Sequence, residues 1–316
     1  MRILITGASG LLGINLAMEA AKKHEVYGVV NSQPLKDPPF HCIVADLLGE
    51  ETYKEIFNKI RPDWVIHCAA LASLEECEQD PAFAELMNTI LPGEIAAITR
   101  GRARMLHIST DAVFDGHVGN YTEDDEPNPV SVYGKTKLNG EWAAIESDPD
   151  VLIARVNLFG WSLKGKRSLA EWFFYNLQAG KPVKGFTDVN FCPILANDLS
   201  HILLDMMKKQ LSGLYHVVGS QTVSKFDFGQ KLASTCQLNA DLLSPISVQD
   251  FGLKAVRGNN LSLSVEKLKS DLHKDIPGFS TGLGQFAELY QQGYPQALRK
   301  MVDISVKDIN PYRNGG

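Results

Sequence analysis

Arg2-Ile3-Leu4-Ile5-Thr6-Gly7-Ala8-Ser9-Gly10-Leu11-Leu12-Gly13 is the stretch on which the reading of this chain turns. A short apolar run feeds straight into three glycines spaced three apart, and a helical pattern follows. Gly7 permits the tight turn, Gly10 lets the backbone approach a pyrophosphate, and Gly13 lets helix and strand pack closely. The helix N-terminus then presents N–H groups and a positive dipole end to that anion. Strand, turn and helix in this order predict a dinucleotide site contacted by Gly7, Ser9, Gly10, Leu11, Leu12 and Gly13.

Outward from this turn, short apolar runs alternate with amphipathic stretches. Strands are expected over 2–6, 26–30, 63–68, 104–109 and 151–156, and helices over 11–23, 50–60, 81–100 and 131–146. Such alternation builds a parallel sheet through right-handed crossovers, covered on both faces. Runs such as Trp64-Val65-Ile66 suit strands buried on both sides. Beyond about residue 160 the pattern loosens: helices over 168–179, 197–209 and 224–235 alternate with longer loops and a strand over 214–218. The expectation is an α/β, doubly wound parallel sheet over 1–160 with returning segments near 182–218. A smaller C-terminal substrate lobe, 161–181 and 219–300, interleaves with it, and a polar tail, 303–316, is either mobile or a partner contact.

Composition narrows the function classes. The 316 residues are 44% hydrophobic and 22% charged, with a formal net charge of −6. That balance argues against a general nucleic-acid binder, which needs a basic surface. No apolar run approaches the length a membrane-spanning helix needs, and no secretory signal precedes the first strand. Cys42, Cys68, Cys77, Cys192 and Cys236 are scattered with no C-x-x-C among them. They read as free thiols in the cytoplasm and leave no expected metal site.

The second strand ends where such folds read the adenosine ribose, through an acid for NAD or an arginine for NADP. Here it reads Val30-Asn31-Ser32-Gln33, with neither, and Lys36 is near enough in sequence to meet a 2′-phosphate. NADPH is therefore favoured over NADH. Asp46, followed by Leu47, can accept from the adenine amino group or cap a helix.

A second constellation carries chemistry. Tyr133 and Lys137 lie four apart in an expected helix and share a face, whereas Lys135 points elsewhere. A phenol with an ordinary pKa near 10 needs a neighbouring cation to work as an acid–base group at neutral pH. Lys137 can supply that charge and hold the nicotinamide ribose. Ser109-Thr110 closes a strand on the side where doubly wound folds bind ligands, and its hydroxyls can polarise a carbonyl oxygen.

These segments resemble the extended short-chain dehydrogenases/reductases with a Rossmann-type sheet, and most closely the dTDP-4-dehydrorhamnose reductase branch. The resemblance rests on 7–13, on His67-Cys68-Ala69-Ala70, on Ser109-Thr110-Asp111-Ala112-Val113-Phe114-Asp115-Gly116 and on Tyr133 to Glu141. It implies that Thr110 is the catalytic hydroxyl, Tyr133 the proton donor and Lys137 its partner. Cys68, Ala69 and Ala70 would line the dinucleotide and Asn88 would support the same site. Val113, Phe114, Asn157 and Arg257 would face the substrate.

The implied activity is NAD(P)H-dependent reduction of the 4-keto group of a nucleotide-linked deoxysugar by a homodimer. Dehydratases of this family carry an Asp-Glu pair after the threonine. Asp111-Ala112 lacks the glutamate, which favours reduction over dehydration. A nucleotide-sugar epimerase and a non-catalytic regulatory subunit, like the beta subunit of methionine adenosyltransferase, are the alternatives. The loop 164–167 can clamp a diphosphate or stand in solvent, and the aromatic run 172–175 can pack the lobe or stack on a base. His67 and His107 are expected to be core histidines, and 123–126 a solvated acidic loop.

Overall fold

Apolar residues alternate along the strands so that each one feeds two cores. Ile3 and Ile5 of β1 (Arg2–Thr6) point into one cluster and Leu4 into the other; Ile66 and Val65 of β4 (Trp64–His67) divide the same way. A sheet buried on both faces needs crossover connections, and the chain supplies them. The computed structural model describes residues 1–31, 34–251 and 258–302.

Six strands, β1, β2 (Glu25–Val30), β3 (His41–Val44), β4, β5 (Arg104–Thr110) and β6 (Leu152–Val156), join the later strand Gly213–His216 in one parallel sheet. From the late strand inward the order is β6, β5, β4, β1, β2, β3. The order reverses between β1 and β4, and ligands bind at such a switch point beyond the strands' carboxyl ends. The expected Rossmann-type doubly wound sheet is the one observed.

Helix α1 (Leu11–Ala20) packs one face together with the late helix Ala196–Lys208, while α2 (Glu50–Ile60) and α5 (Leu91–Thr99) cover the other. Strand β3 escapes the expected list. It is a short, half-exposed sheet edge, although Cys42-Ile43-Val44-Ala45 is an apolar run that could have marked it. The short α3 (Leu74–Gln79) was also not expected, nor were three helices near the end, Glu266–Leu272, Phe279–Gln291 and Tyr294–Lys300.

The expected helix 81–100 is broken. It begins as α4 (Pro81–Glu85), widens into one π-type stretch, Leu86–Ile90, and resumes as α5. Pro92 explains the widening: it has no N–H for the Asn88 carbonyl, and its ring needs room against that turn.

Past β6 the chain forms three two-strand pairs, Leu158–Phe159 with Ile194–Leu195, Asn190–Phe191 with Val223–Ser224, and Val183–Phe186 with Leu243–Ile246. Their core is continuous with the sheet. Trp161 is fully buried, stacks on Phe286 at 3.8 Å and donates from Nε1 to the Phe286 carbonyl at 3.0 Å. No helix among the described residues is long and apolar enough to cross a membrane.

Candidate active site

A cleft of about 1080 Å³ opens over the switch point, between the glycine turn and the lobe. At its cofactor end Gly7 holds φ +66°, in the region that favours glycine. A Cβ at Gly13 would collide with the Gly7 carbonyl oxygen, so both glycines are dictated by close approach. Gly10 occupies the N-cap of α1 in extended conformation, with no side chain capping the helix. The first-turn N–H groups thus face the cleft without a side-chain acceptor, as a pyrophosphate site requires. This arrangement fits a dinucleotide.

Ser9, Leu11, Leu12, Asn31, Asp46, Leu47, Cys68, Ala69 and Ala70 line the same cleft. Asn31 is exposed there, while Ser32 and Gln33 lie outside the described residues. Asp46 does not cap α2; Gly49 holds that position, and Asp46 Oδ1 instead accepts the Leu48 N–H at 3.0 Å. Burial pushes the Cys68 thiol up to about 12, with Lys137 opposing, so it is a packing thiol and not a nucleophile.

Asn88, expected at the cofactor, is fully buried behind the wall and does not line the cleft. Its side chain accepts from Leu71 N at 2.9 Å and donates to Leu71 O and Thr136 Oγ1, each at 3.1 Å. It ties the cofactor wall to α6 (Val132–Ser147) one residue before Lys137. The widened turn is what aims it inward. Pro92 within an expected helix was the available signal.

The chemistry-bearing residues converge. Thr110 ends β5, Tyr133 and Lys137 rise from α6, and all three line the cleft. Ser131 starts α6 by accepting the Gly134 N–H at 3.1 Å. The Tyr133 phenol is hydrogen-bonded with Thr110. Packing around the ring pushes its pKa up to about 12, Asp111 and Cys77 add to the rise, and the Thr110 contact opposes it.

This differs from the expectation that Lys137 would bring the phenol down. The Lys137 ammonium donates to the Ile108 carbonyl at 2.7 Å and lies 3.3 Å from His107 Nε2, contacts that use two of its three N–H donors. Burial brings Lys137 down to about 8, with Glu141 and Cys68 opposing. Tyr133 therefore holds its proton, the state a donor needs.

Ser109 lines the cleft beside Thr110, but its Oγ–H is committed to buried Glu141. His67 and His107 are buried, stacked at 5.4 Å, and held neutral by burial first and then by Lys137. His67 Nδ1 meets Thr6 Oγ1 at 2.7 Å. They are core histidines.

On the substrate side Phe114 and Asn157 line the cleft, whereas Val113 is buried in the core and does not. Arg257 lies outside the described residues, as does the tail 303–316. Lys166 and Arg167 of the 164–167 loop reach the cleft, but none of 172–175 does: Phe173 and Phe174 are core and Trp172 is exposed. The acidic loop is not simply solvated, since Glu123 accepts the His216 N–H at 2.8 Å. Asp111, Asn190 and Lys225 also line the cleft. Asp111 sits inside the quoted motif, whereas nothing in the sequence marks the other two.

A switch-point cleft with a glycine cradle and a Thr–Tyr–Lys set defines an extended short-chain dehydrogenase/reductase. The chain belongs to the family of the RmlD substrate binding domain, whose model matches residues 1–292. It is 32% identical over 280 residues to a probable low-salt glycan biosynthesis reductase of Haloferax volcanii, covering 86% of this chain and 92% of the relative. It is 29% identical to the methionine adenosyltransferase 2 subunit beta of Xenopus laevis over 79% of this chain and 77% of that one. Among solved structures it resembles dTDP-4-dehydrorhamnose reductase from Bacillus anthracis in complex with NADP. That match has a TM-score of 0.81 and 25% identity, over 90% of this chain and 98% of the other.

Proposed function

We propose that the protein is an NADPH-dependent reductase of the 4-keto group of a nucleotide-linked deoxysugar, similar to dTDP-4-dehydrorhamnose reductase. The observation that carries this reading is the meeting of Thr110, Tyr133 and Lys137 at the mouth of the glycine cradle. Bound NADPH would supply hydride. The first turn of α1 would hold its pyrophosphate, and Lys137 would hold the nicotinamide ribose. Tyr133 gives its proton to the carbonyl oxygen, and Thr110 steadies the charge developing there. Phe114 and Asn157 belong to the sugar side. NADPH over NADH is supported by the missing acid at Asn31 and by the NADP carried by the solved relative.

The test is NADPH oxidation against dTDP-, GDP- and UDP-linked 4-keto-6-deoxysugars. Turnover is expected with one of them, and Tyr133→Phe should lower kcat by about 10²–10⁴-fold while NADPH affinity holds. A Phe variant with full turnover would overturn the assignment of Tyr133.

The match to methionine adenosyltransferase beta subunits favours a second reading, a dinucleotide-binding regulatory partner. Tight NADPH binding with no turnover on any sugar would select it. A homodimer belongs to the main reading. It is supported by the exposed Leu86 and Ile90 on the widened turn beside Trp142 and Ile145 on α6. Light scattering on Trp142→Glu tests it, with a shift to monomer expected. A cytoplasmic location is supported by five free thiols.

A further inference from the structure

Asp111 is 4% exposed, yet it lines the cleft next to Thr110. Three groups fix its surroundings. Thr110 Oγ1 donates to Asp111 Oδ1 at 3.1 Å, Asn157 Nδ2 donates to Asp111 Oδ2 at 2.6 Å, and Thr110 Oγ1 itself accepts the Ala112 N–H at 3.2 Å. A hydroxyl has one proton and two lone pairs. With Asp111 ionised, the Thr110 proton is drawn to the carboxylate, one lone pair takes the Ala112 N–H, and the other is left for the Tyr133 phenol or a substrate group. With Asp111 protonated, its O–H can donate to Thr110, which frees the Thr110 proton to meet a substrate oxygen.

We propose that Asp111 is a positioning residue whose protonation decides whether Thr110 offers the substrate oxygen a proton or a lone pair. The proposal rests on the reductase reading for its kinetic part.

The surroundings make such a switch workable. Burial raises Asp111 to about 6, opposed by the hydrogen bonds from Asn157 and Thr110 and by the charge of Lys225 at the start of the helix Lys225–Thr235. The other titratable groups facing it are Tyr133 of α6, pushed up to about 12, and Cys192 just after the strand Asn190–Phe191, pushed up by burial. Neither changes charge between pH 5 and 7. Lys137 titrates later, at about 8. The diphosphates of a bound cofactor and substrate would add negative charge and raise the Asp111 transition further.

Asp111→Asn separates this role from packing. The Asn157 amide needs an acceptor, so the new carboxamide oxygen must face it, and the new NH₂ then faces Thr110 as a permanent donor. The variant mimics protonated Asp111. The wild-type kcat for the 4-keto sugar nucleotide should fall as pH rises through the Asp111 transition, approaching about tenfold per unit on its far side. Asp111→Asn should keep measurable turnover with a flat profile there, and Asp111→Ala, which leaves Thr110 and Asn157 unheld, should turn over more slowly than Asn, also without the bend.

An Asn variant that bends as the wild type does, or that is as slow as Ala while still binding NADPH, would overturn the proposal. The infrared stretch of the protonated carboxyl, absent in Asp111→Asn, gives a readout independent of turnover. It should titrate out over the same range, with a higher midpoint in Thr110→Val, which removes a hydrogen bond favouring the ionised form. No titrating band overturns the switch, whereas a wild type without turnover overturns only the reductase reading.

Discussion

Arg155 and Glu141 form a two-pronged ion pair beneath the strand end that carries Thr110. Arg155 Nη2 lies 2.7 Å and Nε 2.9 Å from the two carboxylate oxygens, and both side chains are only 3% exposed. Glu141 also accepts from Ser109, the residue before Thr110, and the Arg155 guanidinium lies 5.0 Å over the Phe114 ring. One pair thus ties β5, β6 and α6 together below the reacting groups. Removing one partner leaves the other charge buried and unpaired, at about 3–5 kcal/mol. Glu141→Gln and Arg155→Met should each lower the urea midpoint sharply. The double variant should lie closer to wild type than the sum of the singles, and strict additivity would show that the pair is not coupled.

Gly13→Ala should abolish tight NADPH binding. The new methyl would meet the Gly7 carbonyl oxygen and the Ala8 backbone, so the turn itself must shift. Isothermal titration should show at least about a tenfold loss of affinity, with a lower melting temperature besides. Unchanged affinity would mean that the turn does not carry the pyrophosphate.

Asn31→Asp tests the ribose end. An acid there accepts from a 2′-hydroxyl and repels a 2′-phosphate. The ratio of kcat/KM for NADPH over NADH is expected to fall by at least about tenfold, roughly 1.4 kcal/mol of discrimination. A constant ratio would move the selectivity to Lys36 or beyond.

The clasp between Glu19 of α1 and His201 of the helix Ala196–Lys208 should give stability a pH window. Its hydrogen bond is 2.9 Å; the contact with His201 is the main cause holding Glu19 at about 2, and the same contact raises His201 above its usual value. The raised histidine stabilises fully below pH 6.5 and loses this as pH climbs through its folded pKa. The depressed glutamate stabilises above pH 4.5 and loses this on descent to about 2. Between these limits His201→Ala should cost under about 1 kcal/mol, since His201 is over half exposed. Melting curves should show a larger loss at pH 5.5 than at pH 8.5; equal losses would mean that packing, not charge, is the contribution.

Much of this was legible because it is local. Gly7, Gly10 and Gly13 announce their turn by spacing, and Tyr133 and Lys137 announce their shared face. What escaped depends on distant chain. Lys137 donates to the Ile108 carbonyl, Ser109 spends its proton on Glu141, and Lys225 arrives at the cleft from the lobe. No sequence window contains both ends of such contacts. Edge strand β3 is a different case: Cys42-Ile43-Val44-Ala45 carries an apolar run, but the strand is only four residues long and half exposed.

The sheet order also sets a timetable for synthesis. Residues 1–110 suffice for five adjacent strands and the glycine cradle, and β6 follows by residue 156. The neighbour of β6, Gly213–His216, leaves the ribosome some sixty residues later. Until then a strand with apolar faces presents a bare hydrogen-bonding edge. In that interval, with the glycine cradle already made, the growing chain is exposed to mispairing along this edge.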